Sequence, residues 1–303
     1  MPQKVILDVD TGGDDAVAIL LAGHHPALEL VAVTVTHGNA PLTVTLDNTL
    51  RVMQAGGLAH IPVYAGAHSP LIGPPIPTHQ YQSETLPVPP STLRAQPKHA
   101  VEFLIAYYLG PHGAETIYMP VGPQTNMALA LRLEPRLVQR IPRIVTMAGA
   151  YQEGNVTPSA EFNVLADPEA AQVVFSSGIP ITMIGLEVTS QAPVSEEVVK
   201  KTFALGTPQA QIAARLMQRE IDWFREHLGV DGQIFDACAV AAVIDPALVE
   251  TRPMRVCIEL QGQWTRGRTV ADVSGHHRQP ANADVGIHID RERFYQVLYD
   301  GLA

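Results

Sequence analysis

The fold of this chain is predicted by residues 5–24, which read VILDVDTGGDDAVAILLAGH. A short apolar run is followed by four carboxylates and two glycines, and then by a longer apolar stretch. We interpret these parts as a buried strand, a tight turn and a helix from Asp14 to His24. The glycines let the turn bring Asp10 back towards Asp14 and Asp15.

Short β-branched runs alternate with longer helical stretches over the rest of the chain. Further strands are predicted at 30–35, 61–64, 116–119, 144–147, 181–184, 255–260, 268–273 and 284–289. Helices are predicted at 46–55, 127–133, 208–228 and 237–244, and directly after Asp167. This βαβα succession predicts an α/β protein, a single domain over 1–303, with a mostly parallel central sheet flanked by helices as in Rossmann-like folds.

The composition excludes several classes of function. With 30 Asp+Glu against 20 Lys+Arg the formal net charge is −10, which argues against nucleic acid or an anionic membrane as the main partner. No apolar run approaches the roughly 20 residues that a membrane helix needs, and too few apolar residues precede Asp8 for a signal peptide. Cys238 and Cys257 lie in apolar runs and are expected to be buried free thiols. We therefore expect a cytoplasmic protein.

The four carboxylates from Asp8 to Asp15 follow the first strand, where ligands bind in open α/β sheets. Like charges this close raise one another's pKa unless a positive charge lies among them, and a helix N-terminus supplies only about half a charge. A divalent cation would neutralise them, and oxygen ligands favour Ca²⁺ or Mg²⁺ over zinc. The simpler alternative is that Asp14 and Asp15 only cap the helix, while Asp8 and Asp10 are solvated.

Two families begin with a strand and then Asp-x-Asp. Residues 8–11, DVDT, resemble the Asp-x-Asp-x-Thr motif of the haloacid-dehalogenase-like phosphatases, although Thr11 stands one position before the motif's Thr; in that family Asp8 would be the nucleophile beside a Mg²⁺ ion. Residues 8–15, DVDTGGDD, resemble the Asp-x-Asp-Pro-Gly-x-Asp-Asp motif of the inosine-uridine-preferring nucleoside hydrolases, which also accounts for Asp14 and Asp15. A phosphatase needs a second acidic pair, and no Asp-Asp recurs after Asp15.

The hydrolase resemblance continues in family order across nearly the whole chain. It is carried by THGN (36–39), PVGPQTN (120–126), MAGA (147–150), EGN (153–155), AEFN (160–163), DPEA (167–170) and DACAV (236–240). The resemblance implies a calcium-dependent enzyme that hydrolyses the N-glycosidic bond of ribonucleosides to ribose and free base. It further implies a small-molecule nucleoside as partner and a homodimer or homotetramer as assembly.

By this resemblance, Asp10, Asp15, Asp236 and the main-chain carbonyl of Val121 would hold one Ca²⁺. A water and the ribose 2′- and 3′-hydroxyls would complete the coordination, and Asp10 would deprotonate that water before it attacks the anomeric carbon. The residues implied to contact the ribose are Asp14, Asn39, Met147, Asn155, Glu161, Phe162 and Asn163.

Some of these sugar contacts have simpler interpretations. Asn155 and Asn163 could be turn residues, and Phe162 could be a core residue. We favour sugar contacts for Glu161 and Asn163, because an extended segment at 161–163 would place both polar side chains on one side.

The residues expected around the nucleobase differ from the usual pattern of the family. Phe235 stands where many members carry a His that is thought to protonate the leaving base. His79, Trp223 and His227 are the candidates to border the base, the first in a proline-rich loop at 66–97 that normally closes over it. The segment 208–236 is predicted to lie over the site.

These departures leave the substrate open. Thr11 replaces the Pro of the motif, and the loop near 79–86 lacks the usual His-Gly pattern. A purine nucleoside, a pyrimidine nucleoside, another pentoside and a non-catalytic pentose-binding protein are the remaining alternatives.

Overall fold

In a computed structural model, which describes residues 1–76 and 85–303, strands and helices alternate along the chain. The strands are β1 (Gln3–Val9), β2 (Leu28–Val35), β3 (Val63–Ala65), β4 (Thr116–Pro120), β5 (Ile144–Met147), β6 (Ile181–Ile184), β7 (Val249–Met254), β8 (Val256–Ile258), β9 (Thr269–Ala271) and β10 (Ala283–Ile289). The helices are α1 (Gly13–His24), α2 (Leu42–Ala55), α3 (Ala100–Leu109), α4 (Thr125–Leu133), α5 (Phe162–Ala166), α6 (Pro168–Phe175), α7 (Leu186–Thr189), α8 (Glu196–Ala204), α9 (Pro208–Leu228), α10 (Phe235–Ile244) and α11 (Arg291–Leu302).

Eight strands form one sheet in the order β3-β2-β1-β4-β5-β6-β10-β7. Its strand pairs are parallel except for β10 with β7, which is antiparallel. β8 and β9 form a separate antiparallel pair. The prediction of a single α/β domain with a mostly parallel central sheet flanked by helices is confirmed.

β1 occupies the centre of the sheet because its sequence suits burial on both faces. It is buried from Val5 to Val9, and such a continuous apolar strand is typical of parallel sheets. The chain leaves β1 for β2 and β3 on one side and returns for β4, β5 and β6 on the other. The carboxyl end of β1 is therefore a topological switch point, where open α/β sheets bind their ligands.

Six of the described helices and strands were not predicted from the sequence: α3, α5, α7, α8, α11 and β7. α3 reads AVEFLIAYYL, which is too uniformly apolar to show a helical period. β7 reads VETRPM and has four consecutive exposed residues, a composition that protects an edge strand and conceals it from pattern analysis. The strand predicted near 255–260 is β8, which lies in the small separate sheet rather than in the main one.

Membrane helices and the cysteines were both the subject of predictions from composition. None of the described helices combines the length and the apolar character that crossing a membrane requires. Both cysteines are free thiols, as predicted, but only Cys238 is buried. Cys257 is half-buried because it lies in the small surface pair β8–β9.

Candidate active site

The turn between β1 and α1 folds back on itself through Asp15. One oxygen of Asp15 accepts a hydrogen bond from the main-chain N–H of Asp10 at 3.1 Å, and the other accepts from that of Gly12 at 2.8 Å. The side-chain amide of Asn39 donates to Asp15 at 3.2 Å. The predicted approach of Asp10 to Asp15 is confirmed, and Asp15 also caps the first turn of α1.

Asp14, Asp15 and Asp236 form a group of carboxylates whose oxygen atoms lie within 4.8 Å of one another. Each stands in the first turn of a helix, α1 for the first two and α10 for Asp236. Burial, followed by the negative neighbours, raises the pKa of Asp14 to about 7 and that of Asp236 well above its usual range. Burial likewise raises the pKa of Asp15 to about 6. Asp15 and Asp236 are buried and Asp14 is half-buried, and a group of carboxylates with this much mutual repulsion fits a hard divalent cation, because the cation would neutralise it.

The carboxylate of Asp10 occupies a slot between two glycines at the end of β1 and is only 1% exposed. Its Oδ2 accepts a hydrogen bond from the main-chain N–H of Asn39 at 2.7 Å. A Cβ atom would lie 2.1 Å from Oδ2 if Gly38 carried one, and 2.4 Å from Oδ1 if Gly122 did. Burial and then the charge of Asp15 raise the pKa of Asp10 well above its usual range.

The turn after β4 places the carbonyl group of Val121 near Asp10, at the carboxyl end of β1. The main-chain N–H of Val121 donates to the carbonyl oxygen of Asp8 at 2.8 Å, which ties this turn to β1. The side-chain amide of Asn163 donates to the carbonyl oxygen of Val121 at 2.7 Å and to that of Met147 at 3.1 Å.

A cavity opens at the carboxyl ends of the central strands. Its lining residues are Asp10, Asp14, Asn39, Val121, Met147, Asn155, Glu161, Phe162, Asn163, Phe235 and Asp236. The structure therefore brings together the side chains predicted for the metal and the sugar, with Asp15 beside them in the carboxylate group.

The extended segment predicted at 161–163 is wrong. Phe162 begins α5, and Glu161 is the residue that caps this helix. Its carboxylate accepts from the main-chain N–H groups of Asn163 at 2.7 Å, Gly149 at 2.8 Å and Val164 at 3.1 Å. The free N–H groups of a helix N-terminus attract a carboxylate, and this preference outweighs the extended conformation. Glu161 and Asn163 nevertheless both reach the cavity.

Asp8 lies outside the cavity and is fully buried, with 0% exposure. One oxygen accepts from the hydroxyl of Thr34 at 2.6 Å and the amide of Asn126 at 2.8 Å, and the other from the hydroxyl of Tyr118 at 2.6 Å. An enclosed carboxylate with both oxygens engaged cannot reach a phosphate ester. The phosphatase alternative therefore lacks its nucleophile, and the alternative in which Asp8 and Asp10 are solvated is wrong.

A second cavity of about 320 Å³ adjoins the first and shares Asn155, Phe162 and Phe235 with it. Its other lining residues are Val156, Trp223, Phe224, His227 and Leu228. The structure thus places Trp223 and His227 in the second cavity, beside the first cavity, in which the predicted sugar-binding residues lie. His79 lies outside the described residues.

Nothing in the sequence motifs singles out Glu220, yet its side chain is only 6% exposed and reaches the start of α1. A Cβ atom at Gly13 would lie 2.0 Å from its Oε1. Glu220 stands on α9 one turn before Trp223, among the buried positions Met217 and Ile221. A charged residue at an apolar-face position of an amphipathic helix is the sequence feature that could have revealed it.

Comparison with known proteins gives consistent matches along the chain. The family model described as inosine-uridine preferring nucleoside hydrolase matches residues 5–296. The chain is similar to the pyrimidine-specific ribonucleoside hydrolase RihB of Escherichia coli (strain K12), with 39% identity over 301 residues that cover 98% of this chain and 96% of the relative.

Two solved structures share the fold at nearly full length. A purine-preferring ribonucleoside hydrolase from Gardnerella vaginalis has 32% identity and a TM-score of 0.91, covering 99% of this chain and 98% of the other. An inosine-guanosine nucleoside hydrolase has 30% identity and a TM-score of 0.88, with the same coverage of 99% and 98%.

Proposed function

The chain belongs to the inosine-uridine preferring nucleoside hydrolase family and is a nucleoside hydrolase, and on this premise we propose that Asp10 and a calcium ion carry out the hydrolysis of ribonucleosides to ribose and free base. The observation that carries the proposal is the pair of adjoining cavities. The first contains acidic and amide side chains suited to a metal and a sugar, whereas the second is largely aromatic and suits a base.

Asp10, Asp15, Asp236 and the carbonyl oxygen of Val121 would hold the ion. Asp14 is a further candidate ligand, because it lies within the group of close carboxylates. When bound, calcium would neutralise these carboxylates and make a coordinated water more acidic. The exclusively oxygen donors and the pKa values raised by burial support a hard cation at this position.

Asp10 would take the proton of the attacking water. Its slot between Gly38 and Gly122 and its hydrogen bond from Asn39 fix the carboxylate in one orientation, so that no reorganisation is needed when the proton arrives. The water oxygen bonds to the anomeric carbon as the bond to the base breaks, through an oxocarbenium-like transition state.

The polar residues of the first cavity would bind the ribose hydroxyls, with Met147 and Phe162 against the sugar. The side-chain oxygen of Asn155 accepts from the main-chain N–H of Phe162 at 2.9 Å, which leaves the amide nitrogen of Asn155 to donate to the sugar. The carboxylate of Glu161 is held by three main-chain N–H groups and keeps the remaining lone pairs for a hydroxyl.

Pyrimidine ribonucleosides are the substrates that we propose first. The relative with 39% identity is named pyrimidine-specific, whereas the purine-preferring enzyme shares 32%. Aromatic rings line the second cavity and would stack on any base without selecting its edge: Phe162, Trp223, Phe224 and Phe235. Purine nucleosides are therefore expected to be accepted, although as weaker substrates than pyrimidine nucleosides.

The loop at 66–97 is proposed to border the base, and the segment 208–236 to lie over the site. Both flanks of the loop are attached to the domain: the N–H of Leu71 donates to Asp167 at 2.9 Å and the N–H of Leu86 to Asn48 at 2.9 Å. A homodimer or homotetramer in the cytoplasm remains the prediction for assembly and location, and light scattering on the purified protein tests the assembly.

Ribose release from uridine, cytidine, inosine and adenosine, each with and without EDTA, tests the function. We expect release that EDTA abolishes and calcium restores, and no release by the variant Asp10→Ala. A protein that binds calcium and ribose but releases no ribose from any of the four would instead be a pentose-binding protein or a hydrolase of another pentoside.

A further inference from the structure

We call the second cavity the base-side cavity, and among the described residues that line it His227 has the side chain of the type that most often serves as a general acid. Among the described residues that line it, Asn155 and Trp223 have N–H groups that donate hydrogen bonds but do not ionise, and the remainder are apolar except for His227. Phe235, which lies between the two cavities, has no proton to offer.

We propose that His227 is the general acid that protonates the leaving base, an inference that rests on the proposed function. The cavity brings His227 together with Phe162 and Phe235, which also line the sugar cavity. A base attached to a ribose in the first cavity would extend into the second, where the imidazole lies.

The geometry around His227 determines which ring nitrogen serves the base. Its Nδ1 lies 3.0 Å from the main-chain carbonyl oxygen of Trp223. Because a carbonyl oxygen only accepts hydrogen bonds, Nδ1 carries a hydrogen, and Nε2 is the nitrogen available to a ligand. The contact holds the ring in one orientation, as a general acid requires.

Trp223 also fixes the plane of the imidazole. Its indole is stacked on the ring of His227, with ring centroids 4.8 Å apart and planes inclined by 16°. Both residues belong to α9, so the helix presents the two rings to the cavity together.

When the bond between C1′ and the base nitrogen breaks, its electron pair remains with the base, and Nε2 of the imidazolium gives its proton to the base. The water oxygen bonds to C1′, and the water proton passes to Asp10. His227 is exposed and takes a new proton from solvent, while Asp10 returns its proton to solvent, so that nucleoside and water yield ribose and base.

Substrates that differ in their need for an acid provide the test. We would measure kcat and KM of wild type, His227→Ala and His227→Gln on uridine and on 4-nitrophenyl β-ribofuranoside, whose phenolate leaves without a proton. Both variants should lose about 100-fold in kcat on uridine, as expected for loss of a general acid, with changes of less than about 3-fold on the nitrophenyl riboside. The exposed His60 supplies a matched control in His60→Ala, which should behave as wild type.

Other patterns overturn the proposal. Equal losses on both substrates would assign His227 a packing role, and unchanged rates would assign it none. Wild-type activity in His227→Gln would show that a hydrogen bond suffices and that no proton is transferred. If wild type releases ribose from no nucleoside, the proposed function itself fails, and this inference fails with it.

Discussion

Gly13 and Glu220 are in direct contact, so that a Cβ atom at residue 13 would lie 2.0 Å from Oε1 of the glutamate. Gly13 begins the helix that carries Asp14 and Asp15, and Glu220 belongs to the helix that carries Trp223 and His227. The contact therefore joins the acidic turn to the helix that carries the residues of the base-side cavity, and the absence of a side chain at Gly13 leaves room for the glutamate carboxylate.

Gly13→Ala should raise KM for uridine about 10-fold, because the methyl group displaces the buried carboxylate of Glu220 from its place against the start of α1. The double variant Gly13→Ala/Glu220→Ala removes the displaced group, and we expect it to be less impaired than the sum of the single variants. Steady-state kinetics on the four proteins gives the interaction free energy directly. Additive losses would mean that the two residues act independently.

Gly122→Ala should abolish ribose release, because a Cβ atom at this position would lie 2.4 Å from Oδ1 of Asp10. The neighbouring variant Val121→Thr is the matched control: it changes the side chain and leaves the main-chain carbonyl in place, so it should retain activity within about 3-fold of wild type. Circular dichroism on both variants separates loss of the site from loss of the fold. An active Gly122→Ala enzyme would exclude Asp10 as the base in the position described.

The sequence predicts the acidic turn well because its chemistry is local. Asp10, Asp14 and Asp15 belong to one strand–turn–helix unit, and their proximity follows from two glycines and a helix start. Asp236 and Asn163 belong to α10 and α5, far along the chain, and only the family resemblance connects them to that turn. No local pattern determines which distant segment reaches a given strand end.

The features that escaped prediction depend on packing. Glu220 gains its position from the packing of α9 against α1, which the sequence of α9 does not encode by itself. The cap formed by Glu161 depends on a helix of only five residues, too short to show a period. The edge strand β7 is concealed by the charged and proline residues that protect it from pairing.

Calcium should raise the melting temperature of the wild-type protein, because an ion that binds only the folded chain stabilises it by mass action. At 100 times its dissociation constant the gain is about 2.7 kcal/mol, or roughly 5 °C for a domain of this size. Asp236→Asn should abolish the shift, whereas Asp284→Asn, at an exposed position of β10, should preserve it. Thermal melts with EDTA, Ca²⁺ and Mg²⁺ also identify the preferred ion. An equal calcium shift in Asp236→Asn would remove this residue from the ligand set.

A separate pH effect on stability is expected from His37, which is 2% exposed and precedes Asn39 by two residues. Its Nε2 lies 3.2 Å from the hydroxyl of Thr125, which donates to Asp167 at 2.7 Å and therefore accepts from the imidazole. Burial, and then the neighbouring His68, lower the pKa of His37 from 6.5 to about 4. The folded protein thus holds this ring neutral at a pH where the unfolded chain would already be protonated.

The free energy of unfolding that depends on the neutral ring of His37 is fully present above pH 6.5. As the pH falls from 6.5 towards 4, the unfolded chain gains a proton that the folded protein does not, and about 3 kcal/mol of stability is lost in all. We expect His37→Gln, whose amide can still donate to Thr125, to lose less stability than wild type over this interval. Urea unfolding of both proteins from pH 7 to pH 4, in saturating calcium, measures the difference in slope, and the carboxylate group contributes equally to both curves. His60→Gln should follow wild type, since His60 is exposed. Parallel curves for wild type and His37→Gln would mean that His37 is protonated in the folded protein.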